Sequence, residues 1–204
     1  MTTGRMEAFS DGVIAILITI MVLELHTPRG PHWSDLRELV PTLLAYLLSF
    51  VYLGIYWNNH HHMLAVTHHV TGGILWANLH LLFWLSLIPF TTAWTSGTDF
   101  AVVPSAVYGI VLLASAIAFF VLQSVIIRDQ GSASTLRRAV GRNGKGRLSP
   151  VLYGLGIGLA FAEPWLALAV YAAVALMWLV PDRRVERTLA VTGTARVDID
   201  RPMS

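Results

Sequence analysis

Long apolar runs separated by short polar intervals dominate the pattern along the chain. A hydrocarbon core about 30 Å thick takes about 20 apolar residues per helix, within a range of about 17–25. By that measure the pattern predicts six spans, at about 6–25, 39–59, 70–94, 100–127, 148–162 and 164–180. The last two are the shortest, and Glu163-Pro164 must turn tightly between them, since proline suits the first turn of a helix and breaks its interior. Pro89 is expected to end or kink the third span near its outer end. Gly154 and Gly158, followed by Ala162, put small residues at every fourth position of the fifth span, a pattern for close helix packing. No soluble domain and no internal repeat are visible. The chain therefore divides into a six-helix membrane domain, 1–182, and a polar tail, 183–204.

Composition agrees. Of 204 residues 55% are apolar and only 13% are charged, with no cysteine, whereas soluble domains carry about 25% charge. A disordered chain, a disulfide scaffold and any thiol-based site are excluded. Glu7 and Asp11 interrupt what would be the basic region of a signal peptide, so cleavage is not expected.

The placement of charge sets the orientation. With the N-terminus cytoplasmic, 12 of the 14 basic residues fall inside: Arg5, six in the 128–147 loop and five in the tail. Only Arg29 and Arg37 fall outside, and cytoplasmic loops are the basic ones. Both termini are then cytoplasmic. Trp57, Trp76, Trp94, Trp165 and Trp178 lie near the ends of spans, at headgroup level, while Trp84 is mid-span and is expected to pack. The basic loop, Arg128 to Arg147, suits topology and anionic lipid. It has no aromatic to stack a base, so no nucleic-acid partner is expected. Its Gly141–Arg147 stretch is not a phosphate loop, because Gly146 follows Lys145 and Ala139 stands where the first glycine belongs.

The first span is the anomaly. Twelve residues separate Asp11 from Glu24, too few to cross lipid alone, and intramembrane ionisable groups face a bundle interior or a water path. The helix is therefore expected to be central and shielded by the others. At 100° per residue Gly12, Ile16, Thr19, Ile20 and Leu23 fall within about 60° of one line, and Ser10 and Asp11 project more than 100° from it. One face shows aliphatic side chains and a single hydroxyl; the other can anchor the helix by hydrogen bonds. The same spacing equally suits a stripe buried against a neighbouring helix.

The residues Arg5-Met6-Glu7-Ala8-Phe9-Ser10-Asp11 read R-x-x-x-F-S-D at the start of this span. With Gly12–Ile16, Tyr56–His61, Leu75–Leu79 and Ser86–Phe90, the chain resembles the transmembrane protein 175 family in its short six-helix prokaryotic form. The last three spans match only in hydropathy and loop placement. The resemblance implies a potassium-selective or potassium-preferring channel of the prokaryotic cell membrane, in which four subunits surround a pore lined by the first helix. Potassium would be the permeant ion, with no cofactor and no catalytic residues. The chain lacks the T-V-G-Y-G segment of carbonyl filters. The family's constriction positions fall on Ile16 and Leu23, with Thr19 or Ile20 between them. Gly12 would line the pore and Glu24 its outer mouth. Arg5, Phe9, Ser10 and Asp11 would form a structural network, with Trp57, Asn78 and His80 as partners.

Two rival readings share part of this pattern. A proton- or cation-coupled secondary transporter has similar composition, but paired half-sequences and broken midplane helices are not seen here. A histidine-ligated membrane metalloprotein would use the five histidines between His60 and His69. Imidazole is the commonest metal ligand, yet no H-E-x-x-H or E-x-x-H pair occurs and no carboxylate lies between Trp57 and Thr98. Interfacial hydrogen bonding and pH sensing remain as further uses of the cluster.

Overall fold

A computed structural model describes residues 2–67, 69–131, 134, 136–137 and 144–179. The expectations that concern His68, Arg138, Arg142 and the 183–204 tail lie outside these residues. The described residues form eight helices: α1 (Thr3–Leu23), α2 (Trp33–Arg37), α3 (Val40–Ala65), α4 (Gly72–Ser86), α5 (Ile88–Gly97), α6 (Val102–Gln130), α7 (Gly144–Ala160) and α8 (Pro164–Leu179). Taken together, α4 and α5 form one broken rod. Four segments, α1, α3, α4–α5 and α6, are long and apolar enough to cross a membrane.

Each boundary has a local cause. Pro41 and Pro89 sit in the first turns of α3 and α5, and Pro164 opens α8, where the missing N–H costs nothing. Just after Pro89, Thr91 and Thr92 donate their hydroxyls back to the carbonyls of Leu87 and Ile88 at 3.0 and 2.7 Å, which satisfies both hydroxyls within the helix. The short α2, absent from the hydropathy pattern because it is polar and only five residues long, is closed by Asp35 accepting from the His32 backbone N–H at 2.9 Å. Gly131, at φ 67°, ends α6 in the left-handed region open to glycine.

The helices run antiparallel. Thr3 donates to the Thr67 carbonyl and Gln130 to the Val66 carbonyl, so the start of α1, the α3–α4 turn and the end of α6 share one end of the bundle. Phe100 packs under Trp165, ring centroids 4.5 Å apart, at the other end. The central helix is α6, which packs against α4, α5, α7 and α8. In a single chain α1 is not the shielded centre expected from its charges. It lies along α3, α4 and α5 with one face only.

Where α3, α5 and α6 meet, Tyr108 donates to Ser49 at 2.9 Å and Ser49 to Thr92 at 2.6 Å, because the Thr92 proton is already committed to Ile88. Buried hydroxyls in an apolar bundle need such partners. Tyr171, fully buried, packs between α6 and α7, and its own carbonyl accepts from the Tyr52 hydroxyl at 2.6 Å.

The close packing of α7 uses a different glycine from the one the sequence spacing picks out. Gly154 and Gly158 are exposed, and a methyl added to either would meet no atom within 4 Å, whereas a methyl on Gly156 would collide with the Tyr171 ring. Small residues four apart mark a face that permits close approach, but a bulky ring opposite decides which face is used. Gly156→Ala should therefore destabilise the detergent-solubilised protein by about 1–3 kcal/mol, the usual cost of overpacking, while Gly154→Ala and Gly158→Ala leave the melting temperature unchanged; thermal unfolding of the three variants checks this.

Candidate pore-lining helix

The sequence of α1 divides it into two faces, and the fold uses them differently. Met6, Ser10, Ile14, Leu17 and Met21 are buried against the bundle. On the opposite face Gly12, Ile16, Thr19, Ile20 and Leu23 are all exposed, Ile16 by 57% and Leu23 by 81%. A stripe of large aliphatic side chains left uncovered by its own subunit marks a surface that meets lipid, a partner or a pore. Thr19 is turned inward on itself, donating its hydroxyl to the Ile16 carbonyl at 2.8 Å. Its oxygen keeps lone pairs free to accept or to ligate.

The buried face is held by a directed chain of hydrogen bonds. Ser10 donates to the Met6 carbonyl at 2.9 Å and accepts from the Asn78 amide at 2.9 Å; the Asn78 oxygen takes the Nε2 proton of His60 at 2.8 Å. Each link sets the direction of the next, which assigns the His60 proton to Nε2. All three side chains are buried. One residue further along α1, Asp11 accepts from the Trp57 indole N–H at 3.0 Å. These contacts join α1 to both α3 and α4.

Three residues expected in this network do not join it. Arg5 and Phe9 are exposed, and Arg5 makes no ion pair among the described residues. At 100° per residue Arg5 falls on the same line as Gly12 and Leu23, far from Ser10. His80 is exposed and accepts instead from the Trp84 indole at 2.9 Å. Two residues along a helix is about 200° of rotation, so Asn78 and His80 cannot both face α1. The same bond gives mid-span Trp84 its polar partner. The histidine that completes the chain is His60, and the signal for it lies in its place on α3, where it shares a face with Tyr56 and Met63.

Glu24 caps α1 and is exposed. It lines a cavity of about 150 Å³ shared by Met21, Tyr46, Thr92 and Ser96, between α1, α3 and α5. Two histidines near the α3–α4 turn pair with carboxylates individually: His61 with Glu7 at 2.7 Å and His69 with Asp129 at 2.8 Å. Among the described residues no three such side chains converge as a metal ion would require.

Comparison with known proteins identifies the family. Residues 5–89, which carry α1 and its partners on α3 and α4, match the endosomal/lysosomal potassium channel TMEM175 family. A potassium channel of Chryseobacterium sp. (strain P1-3) is 53% identical over 93% of this chain and 98% of its own. A potassium channel of Streptomyces collinus is 32% identical over 86% of this chain and 91% of its own. The crystal structure of a lysosomal potassium-selective channel TMEM175 homolog from Chamaesiphon minutus superposes with a TM-score of 0.75 at 32% identity, covering 87% of this chain and 96% of that one. The chain is a membrane protein belonging to the TMEM175 potassium channel family.

Proposed function

We propose that the chain is one subunit of a potassium channel in which four copies surround a pore lined by α1, with Ile16 and Leu23 as its constrictions. The observation that carries this is the asymmetry of α1. Its polar residues are pinned inward by Ser10, Asn78, His60, Asp11 and Trp57, and this pinning turns the aliphatic stripe of Gly12, Ile16, Thr19, Ile20 and Leu23 away from the subunit. A stripe facing lipid would have no need of such restraint. A fourfold arrangement makes α1 central in the assembly although it is peripheral in the subunit.

In this arrangement α7 and α8 also cross the membrane, about 25 Å each at 1.5 Å per residue. Both termini are cytoplasmic in a prokaryotic cell membrane. The basic residues of the α6–α7 region, among them Arg128, Arg137, Lys145 and Arg147, then meet anionic headgroups.

The chemistry is that of a dry neck. Four Ile16 side chains at one level offer a cation nothing in exchange for its water, so a narrow ring excludes ions and a wider, wetted one conducts. A small rotation of α1 changes which of these holds. Thr19, its proton committed to Ile16, presents only oxygen lone pairs at the next level and replaces part of a potassium ion's hydration. Glu24, beyond Leu23, adds negative charge at the outer end and concentrates cations there. Potassium is the permeant ion, and no cofactor takes part.

In planar bilayers with asymmetric potassium and sodium, the purified protein should give passive currents reversing near the potassium equilibrium potential. Ile16→Asn should raise the leak several-fold and lower the potassium-to-sodium permeability ratio; unaltered conductance and ratio would remove Ile16 from the pore. Asp11→Ala removes the bond to the Trp57 indole and with it one of the ties between α1 and α3. That variant should lose the tetramer on size-exclusion chromatography, and an intact tetramer with altered ion affinity alone would assign Asp11 to ion ligation instead.

A further inference from the structure

The inner half of α1 carries a second line of polar residues that the network through Ser10 does not use. Thr3, Glu7 and Asp11 recur every fourth position, which places them on one edge of the helix. Each meets a group from α3 or the turn that follows it: Thr3 the Thr67 carbonyl at 3.3 Å, Glu7 the His61 Nδ1 at 2.7 Å, Asp11 the Trp57 indole at 3.0 Å. Trp57 and His61 are themselves one turn apart, with their rings stacked at 6.4 Å. The three contacts form an antiparallel polar seam between α1 and α3, and its middle rung pairs an imidazole with a carboxylate.

The far side of the turn is tied down separately. Gln130 donates to the Val66 carbonyl at 2.7 Å, and His69 meets Asp129 at 2.8 Å, so the turn is held to the end of α6. Movement of α1 relative to α3 must therefore be taken up along the seam. The charged and titratable groups around His61 are few. From α1 come Glu7 and, beyond the Trp57 ring, Asp11; from α3 itself come His60 and His62, the latter with ring centroids 5.6 Å away. No carboxylate or basic residue occurs in α4 or α5, apart from His80, which is bonded to Trp84. Both partners keep contact with water, with half of the His61 side chain and a quarter of that of Glu7 exposed. Protons from the aqueous phase at this end reach the pair directly.

We propose that His61 is a proton-binding site on the N-terminal face, and that its protonation latches α1 in the orientation seen here. When it carries a second proton His61 is cationic and its contact with Glu7 is an ion pair; without that proton a neutral hydrogen bond remains. Turning α1 about its axis to carry Ile16 out of the neck withdraws Glu7 from His61, so acid on this face disfavours opening. This direction of coupling rests on the proposed pore. The proton-dependent contact itself does not.

Two measurements on the full-length protein test the latch. In bilayers, lowering the pH from 8 to 6 on the N-terminal side alone should reduce open probability about twofold to fivefold, the range expected of a partly exposed ion pair. Glu7→Gln and His61→Gln should flatten that response, and His80→Gln should keep it. In detergent, with no current involved, the wild type should melt higher at pH 6 than does Glu7→Gln, and the two should converge at pH 8. A current response that persists in Glu7→Gln, or that is lost only in Asp129→Asn, overturns the assignment. So does a melting difference that is the same at both pH values. Complete absence of potassium current in the wild type, together with an intact pH-dependent melting difference, sinks the pore and its coupling while leaving the proton site standing.

Discussion

An amphipathic helix in hydrocarbon has no water to tell its two faces apart, so something other than hydrophobicity must set its rotation. Here the bond from Asn78 to Ser10 does so. Asn78 is buried between α1 and α3, and its amide can be satisfied on both sides only if Ser10 and His60 flank it. Leaving any of these groups unpaired in the apolar interior costs about 1–3 kcal/mol or more. Turning α1 by even one residue would break the chain at its Asn78–Ser10 link and part Asp11 from Trp57. The exposure of Ile16 and Leu23 follows from this restraint, because they are what remains on the other side.

The interior of the bundle follows the same rule with different groups. Tyr108, Ser49 and Thr92 pass their protons in one direction to the Ile88 carbonyl, and this relay joins α3, α5 and α6. Tyr171 plays the steric counterpart: its ring fills the space left by Gly109 and Gly156 and keys α8 into the groove between α6 and α7. Helix α1 leans on this side of the molecule through α3, α4 and α5, so the hydroxyl-bonded core serves as the base against which it is positioned.

Much of this is legible from residue order, and the failures have common causes. The α1 stripe is readable because a 3.6-residue period converts spacing directly into angle. The break at Pro89 is readable because proline acts on its own backbone. The partner of Asn78 is not, since His80 is the nearer histidine in sequence and only the crossing of α3 over α1 selects His60 instead. Adjacency to Ser10 along the chain points to Arg5 and Phe9 as members of the network, although the helix turns them away from it. The seam of Thr3, Glu7 and Asp11 has a signal in its spacing of four, but half of each contact is supplied by α3 or the turn after it.

By itself the sequence determined the solvent and the segments. A chain with 13% charge and no cysteine has to fold in lipid, and the lengths of its apolar runs determine where the helices lie, because hydrophobic burial and helical hydrogen bonding are local and additive along the chain. The tertiary structure alone decided which side of α1 is held and which is left open, which glycine of α7 accepts the Tyr171 ring, and which histidines meet carboxylates. Those outcomes depend on pairs of residues far apart in sequence, as with Glu7 and His61. Their geometry is set by how rigid helices cross, a quantity that no single segment carries.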